Sequence, residues 1–397
     1  MLPSATEHGD MTPMSHVRSI PTLLAPGALA ASLLLFTGPA LAAKPAPPLD
    51  PSAPLTEVAR SPSRVWNGVV VLPDGRMILQ YPAWAGTAGP ALTLREADGT
   101  QHPYPDAGWN DDATADAAHR LIAVEGMHLT DDGTLWVLDS GIATDGQPAV
   151  PEGTKLVRID TRTGEVVRTY PIDPAVLHPD SRLSGVRVGR DHAFIGDSGV
   201  AGLIVMDLGH DGAGPVTQRR LLDRQPSLTA QQPITVGGQV LHDRTGHTAV
   251  INVNQIEISP DSQWLYYQAA SGPLYRIGTE LLTDTSITDV ELDDGTTLWY
   301  KTPPLGGMTV ARDGTLYFDD VSTGSIFRFT AGRVYQRIVV DPRLRWPANP
   351  YVTADGKLYV PVAQLDRTPP FNQGRLDVQW PLSLYQVDVG ALPPPER

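Results

Sequence analysis

EGMHLTDDG, residues 125–133, alternates apolar and polar side chains for five positions and then turns at Asp132-Gly133. It is followed at once by TLWVLDS, a β-rich run. Alternation, an Asp-Gly turn and a second strand-forming run together predict a β-hairpin. The same pattern recurs five more times in the same register. The segments are NGVVVLPDG from Asn67, SGVRVGRDH from Ser184, NQIEISPDS from Asn254, GGMTVARDG from Gly306 and ANPYVTADG from Ala348. Each places an aspartate seven residues after its first position: Asp74, Asp132, Asp191, Asp261, Asp313 and Asp355. Successive aspartates are 58, 59, 70, 52 and 42 residues apart.

Repetition on that scale is the mark of an array built from one supersecondary unit. The second runs are RMILQY, TLWVLDS, AFIGDS, WLYYQA, TLYFDD and KLYVPV, and further strand-like runs follow, among them KLVRID with EVVRTY and SIFRFT with RVYQRIVV. About four strands per repeat make a propeller blade, so the expected fold is all-β, a six-bladed β-propeller over residues 55–391. The last repeat is one strand short, while LTEVAR (Leu55–Arg60) belongs to no repeat. Pairing that segment with the chain near Leu384–Val389 would close the ring and cover an open sheet edge. A β-sandwich would not explain six equal registers. A parallel α/β fold would need amphipathic helices longer than the two turns found here.

The six Asp-Gly aspartates recur in every unit, which suits turns rather than one asymmetric site. Asp139 and Asp197 end second strands in DSG triplets and are expected to cap the turns that follow.

Composition narrows the function classes. The 397 residues include 37 Gly and 38 Pro but no cysteine, which excludes disulfides, thiolate metal sites and a cysteine nucleophile. A formal net charge of -14 disfavours nucleic acid as a partner. Arg18 precedes an apolar run from Leu23 to Ala42 that ends in Ala40-Leu41-Ala42, the layout of a Sec-type signal peptide over residues 1–42. Residues 43–54 read as a Pro-rich linker. The expectation is a periplasmic or secreted monomer with no stable membrane insertion after cleavage.

LWVLDSG (Leu135–Gly141), AFIGDSGVAGLIVMDL (Ala193–Leu208), ISPDSQWLYYQAASGPLYRI (Ile258–Ile277) and RLRWPANPYVTADGKLYVPVAQLDRTPPFNQG (Arg343–Gly374) resemble the yellow and major royal jelly protein family, especially bacterial members. The resemblance runs from about Val65 to Val389. It implies a secreted propeller with a small-molecule ligand at one end of its channel. Insect relatives include dopachrome-converting proteins, salivary binders of biogenic amines, and royal jelly proteins of mainly nutritive use, so the family fixes the fold better than the activity. The absence of cysteine departs from the secreted insect members. The family lies within a wider group of six-bladed propellers that includes gluconolactonase-like enzymes.

The first position of each repeat begins the expected innermost strand, so Asn67, Glu125, Ser184, Asn254, Gly306 and Ala348 should ring one mouth of the channel. Asn67, Ser184 and Asn254 are candidate ligand-binding residues, and Glu125 with His128 the candidate acid–base pair. In the gluconolactonase-like enzymes, equivalent Glu, Asn and Asp residues bind a divalent cation. Glu125 and Asn254 match two of those ligands, and Gly306 stands where the Asp is expected. Calcium is the cofactor they would suggest, with one carboxylate a thin donor set for it. The 70-residue gap holds an insertion with His242, Asp243, Arg244 and His247, a candidate lid whose histidines could bind ligand. The functional alternatives are binding, with or without isomerisation, of a small aromatic or amine-like molecule; a metal-dependent lactonase; and a non-catalytic envelope scaffold.

Overall fold

The computed structural model describes residues 53–110, 116–209 and 216–391. The expected leader, 1–42, and the linker as far as residue 52 lie outside them. Six four-stranded antiparallel sheets form the blades of a propeller. Their innermost strands are Gly68–Val71, Val124–Leu129, Leu183–Gly189, Val253–Ile258, Leu305–Val310 and Tyr351–Val352, in blades one to six. Each hairpins into a second strand at the turn that carries the repeated aspartate. In four of these turns the aspartate accepts from the backbone N–H two residues on: Arg76 on Asp74, Thr134 on Asp132, Gln263 on Asp261 and Thr315 on Asp313. This is local turn chemistry, as the recurrence implied.

The ring closes through the N-terminal strand. Thr56–Ser61 pairs antiparallel with Leu382–Asp388, in a register that sets Thr56 opposite Gln386 and Ser61 opposite Leu382. The sixth blade is therefore built from both ends of the described chain, and neither of its central strands is left unpaired.

Apolar clusters fill the seams between blades. Leu138 and Leu156 of blade two, for example, pack with Val186, Ile195 and Ile204 of blade three, all essentially buried. Near the channel every seam also carries a polar bond. Gln80 Nε2 donates to the Val124 carbonyl at 2.9 Å, and His128 Nδ1 accepts from the Val188 N–H at 2.9 Å. Arg187 pairs with Glu257 at 2.7 Å, and Gln255 Nε2 donates to the Gly306 carbonyl at 3.3 Å. The Asn349 N–H donates to Gly306 at 3.4 Å, and its side-chain amide donates to the Asn67 carbonyl at 2.7 Å. These bonds tie the inner part of each blade to the next around the axis.

Helices are few and short. The longest among the described residues is Asp289–Gly295, opened by a capping box between Thr288 and Glu291 on the outside of blade four. None is long and apolar enough to cross a membrane.

Candidate functional site: the mouth of the central channel

A cavity of about 1600 Å³ runs along the propeller axis. Asn67, Glu125, Ser184, Asn254 and Gly306 all line it, so five of the six repeat-start positions meet as the register requires. Blade six departs. Ala348 is wholly buried in an apolar cluster, and Asn349, the next residue, lines the cavity instead.

The strand starts are bulged. In blade two the pairing steps from Val124 to Gly126, in blade four from Val253 to Gln255, and in blade five from Leu305 to Gly307. Glu125, Asn254 and Gly306 are the extra residues. A bulge leaves one residue unpaired and re-aims its side chain, which is how an innermost strand turns a group toward the axis. In blade three the extra residue is Gly185, with φ +72°, and Ser184 keeps its pairing with Gly196.

Glu125 is the central group. Its Oε1 accepts from the indole N–H of Trp84 at 2.8 Å. Burial pushes its carboxyl up to about 8. The Trp84 N–H and the Arg182 guanidinium pull the other way, and the nearby Asp139 charge adds to the rise. At neutral pH Glu125 is therefore mostly the uncharged acid. Two further polar atoms are enclosed beside it on the following blades. Ser184 Oγ and Asn254 Oδ1 are buried with no hydrogen-bond partner among the described residues. A buried polar atom left without a partner costs about 1–3 kcal/mol, a cost a site tolerates where a ligand supplies the bond.

The arc from blades six and one carries aromatic side chains, beside Asn349 and Asn67. Trp84 comes from the loop after the second strand of blade one, on a single turn at Ala83–Ala85. Trp346 and Phe371 stack with centroids 5.8 Å apart and planes 21° from parallel. Leu365 and Pro370 complete this wall. The mouth thus gathers its aromatic side chains on blades six and one, and Glu125, Ser184 and Asn254 on blades two to four.

The insertion before blade four lies at this mouth, as expected of a lid. Thr235–Val236 and Gln239–Val240 form a hairpin whose central Gly237 and Gly238 both have positive φ, the conformation of a tight twisted turn. Ile234, Val236, Leu241 and Ala249 anchor it in the apolar cluster of Trp66 and Trp346. The tip is a turn at Asp243, whose Oδ1 accepts from the N–H groups of Thr245 and His247 at 2.8 and 3.0 Å. His247 lines the cavity and shares a 2.9 Å bond with Thr245 Oγ1, whereas His242 is exposed and outside the lining.

His128, the candidate partner of Glu125, also lines the cavity. Its Nδ1 accepts from the Val188 N–H, which places the ring proton on Nε2. Burial, with the Arg187 charge beside it, pushes its pKa down to about 3. The ring is a seam bond between blades two and three. The sequence reading also missed Trp84, Asp145, Arg182, Trp346, Asn349 and Phe371. All but Asn349 stand outside the hairpin register that located the others.

The donors do not fit a divalent cation. A Cβ at Gly306 would stand 1.8 Å from the Pro347 carbonyl oxygen, so the position where an aspartate ligand is expected cannot carry a side chain. No three His, Asp or Glu side chains converge as a metal-binding group among the described residues. A calcium ion needs several oxygen ligands, carboxylates among them, and Glu125 with Asn254 falls short of that.

The DSG aspartates are structural. Asp139 accepts from the N–H groups of Ile122, Ala123 and Gly141, and from Lys155 Nζ at 2.7 Å. Asp197 accepts from the N–H groups of Arg182, Gly199 and Val200, and from Arg220 at 2.9 Å. Both side chains are fully buried.

A six-bladed propeller with a polar, partly aromatic mouth is thus the class of protein that fold and site define. The chain belongs to the major royal jelly protein family, whose model matches residues 122–342. It is similar to major royal jelly protein 1 of Apis mellifera, at 25% identity over 267 residues, covering 64% of this chain and 56% of that relative. The chain thus spans little more than half the length of the curated relative it matches. Among solved structures it is similar to the calcium-binding protein regucalcin of Agrobacterium tumefaciens (13% identity, TM-score 0.47, covering 84% of this chain and 94% of that one). It is also similar to a gluconolactonase of Xanthomonas campestris (13%, TM-score 0.46, covering 85% and 98%). At such values neither neighbour bears on the chemistry of this mouth.

Proposed function

We propose that the protein binds a small aromatic molecule at the channel mouth and isomerises it by proton transfer through Glu125. The observation that carries this is one uncharged carboxyl group, held by Trp84, facing an aromatic wall within a single cavity. A ring lies against Trp84, Trp346 and Phe371, and Ser184 and Asn254 meet its polar edge. Glu125 gives its proton to a carbonyl oxygen of the ligand, and the carboxylate so formed takes a proton from the adjacent carbon. One O–H bond forms, one C–H bond breaks, and Glu125 ends as it began. A pKa near the working pH is what such a group requires, since it must both give and take the proton. Water exclusion by the lid would favour both transfers.

A lactonase working through a cation is the weaker reading, because Gly306 cannot supply a side-chain ligand and Glu125 would be the one carboxylate among the repeat-start positions. The apolar run after Arg18 supports an exported protein, acting as a monomer with no nucleic-acid or membrane partner. The test is keto–enol interconversion of phenylpyruvate, an aromatic probe, followed by ultraviolet absorbance. Glu125→Gln should lower the rate by about 10²–10⁴-fold while the ring still binds. Equal rates in the two proteins would remove Glu125 from the chemistry.

A further inference from the structure

Two arginines converge on one turn at the mouth, and the proton transfer uses neither. Arg182, at the start of blade three, pairs with Asp145 at 2.8 Å. From the lid, Arg244 reaches the same turn: its Nη2 lies 3.2 Å from where a Cβ on Gly146 would stand. Arg244 has no ion-pair partner among the described residues. All four residues line the cavity that holds Glu125.

We propose that the ligand carries a carboxylate, which displaces Asp145 from Arg182 and is closed over by Arg244. This rests on the aromatic site described above and names the group its ligand bears.

The two partners of the existing pair are held very differently. Arg182 is fixed through its backbone. Its N–H donates to Asp197 at 2.8 Å, and its carbonyl accepts from both the N–H and the hydroxyl of Ser198 at 2.9 Å. Asp197 is itself buried and paired with Arg220. Asp145 sits on a surface turn closed by one bond, from the Gln147 N–H to the Thr144 carbonyl at 3.1 Å. The pair is a single-contact bridge between side chains 35% and 27% exposed. Such a bridge is weak. A ligand carboxylate meeting the guanidinium fork with both oxygens makes a stronger contact than this one-point bond. Asp145 therefore occupies the guanidinium in the resting protein as an internal stand-in for the ligand's own anion.

An amine in the same place would have two guanidinium groups beside it, and the carboxylates there are already engaged, Asp145 by Arg182 and Asp243 by the N–H groups of Thr245 and His247. The polar half of the mouth thus selects for negative charge although the chain as a whole is acidic. Selection by a few oriented groups is local and need not follow net charge.

Three probes that share one ring separate these possibilities in the full-length exported protein: indole-3-acetate, indole and tryptamine. Binding is read by tryptophan-independent calorimetry, with thermal melts confirming that each variant folds. The wild-type protein should bind the acetate about tenfold more tightly than indole, and tryptamine most weakly. Arg182→Gln should bring the acetate-to-indole ratio to about one. Arg182→Lys, which keeps the charge but loses the fork, should give an intermediate ratio. Asp145→Asn should raise the ratio severalfold, because the competing carboxylate is gone. Arg244→Gln, on an exposed turn where folding is not at stake, should lower it by a smaller factor. Tight binding of tryptamine, or a ratio indifferent to Arg182, overturns the carboxylate while leaving the aromatic site standing. Failure of all three probes to bind overturns the aromatic site itself, and the carboxylate with it.

Discussion

In blade two, two carboxyl groups stand side by side. Asp139 ends the second strand opposite Val124, and Glu125 is the bulged residue that follows Val124 on the first. Asp139 receives four donors, three backbone N–H groups and the ammonium of Lys155, at 2.7–2.9 Å. Glu125 receives fewer, the indole of Trp84 at 2.8 Å and a weaker contribution from the Ser140 hydroxyl. Asp139 is wholly buried and Glu125 half-buried, and their surroundings differ because burial penalises a charge only to the extent that donors do not replace the lost solvent. The group with a full set of donors is scaffold. Its neighbour, poorly supplied and turned to the cavity, holds a proton that it can transfer.

The largest expected effect tests the scaffold side. Asp139→Asn keeps the shape but leaves the Lys155 ammonium buried without a counter-charge, with only the Gly153 carbonyl still accepting from it at 2.9 Å. Burial already pushes the Lys155 pKa down, against the pull of Asp139. Breaking such a pair by removing one partner costs about 3–5 kcal/mol. Denaturant unfolding of the variant should show that loss, and a change below about 1 kcal/mol would mean Asp139 is not what holds the turn.

Next in size is Glu125→Gln, for which the comparison requires the opposite sign. The folded carboxyl at about 8 lies above its ordinary value of 4.5, so the folded state binds the proton more tightly than the unfolded chain does. The stability this contributes is complete below about 4.5 and is lost as pH rises through about 8. Glutamine does not ionise and escapes that loss. The variant should match the wild type near pH 4, and above pH 8 exceed it by about 1–3 kcal/mol, a figure reduced for water in the channel. Melting curves taken from pH 4 to pH 9 would show the gap opening, whereas a gap independent of pH would place Glu125 with Asp139 as an ordinary paired carboxylate.

How far the sequence disclosed this site follows from where each residue sits in the repeat. Glu125, Asn67, Ser184 and Asn254 were found because the hairpin register fixes which residue begins each inner strand. The closing strand was legible because one repeat was short by the length of Leu55–Arg60. Trp84, Asp145 and Phe371 stand on loops whose lengths differ from blade to blade, so no register points to them. His128 reads as channel-facing from its strand, and it is; but its bond to Val188 depends on how blade three is set against blade two, which no single repeat encodes. Gly306 read only as a missing aspartate, and the Pro347 carbonyl that forbids any side chain there belongs to the next blade.

The smallest effect concerns the stronger of the donors that Glu125 does have. Trp84→Phe keeps an aromatic ring on the wall and removes only the N–H that meets Oε1 at 2.8 Å. That donor favours the charged form over the acid, since a hydrogen bond to a carboxylate is worth about 1.5–3 kcal/mol and one to a neutral acceptor about 0.5–1.5 kcal/mol. Its loss should therefore raise the Glu125 pKa by about one unit, in the direction away from Asp139 and further toward a permanently protonated group. The carboxyl stretching band in difference infrared spectra reports that proton in the resting protein, without any ligand or turnover. With Glu125 a weaker acid, the proton-giving step of isomerisation should slow and its pH profile move upward with the infrared titration, while binding of the ring changes little. An unmoved titration would show that Trp84 serves the wall alone and that burial by itself sets the proton on Glu125. A rate that fell with no shift in either profile would assign the indole to ring packing rather than to positioning the acid.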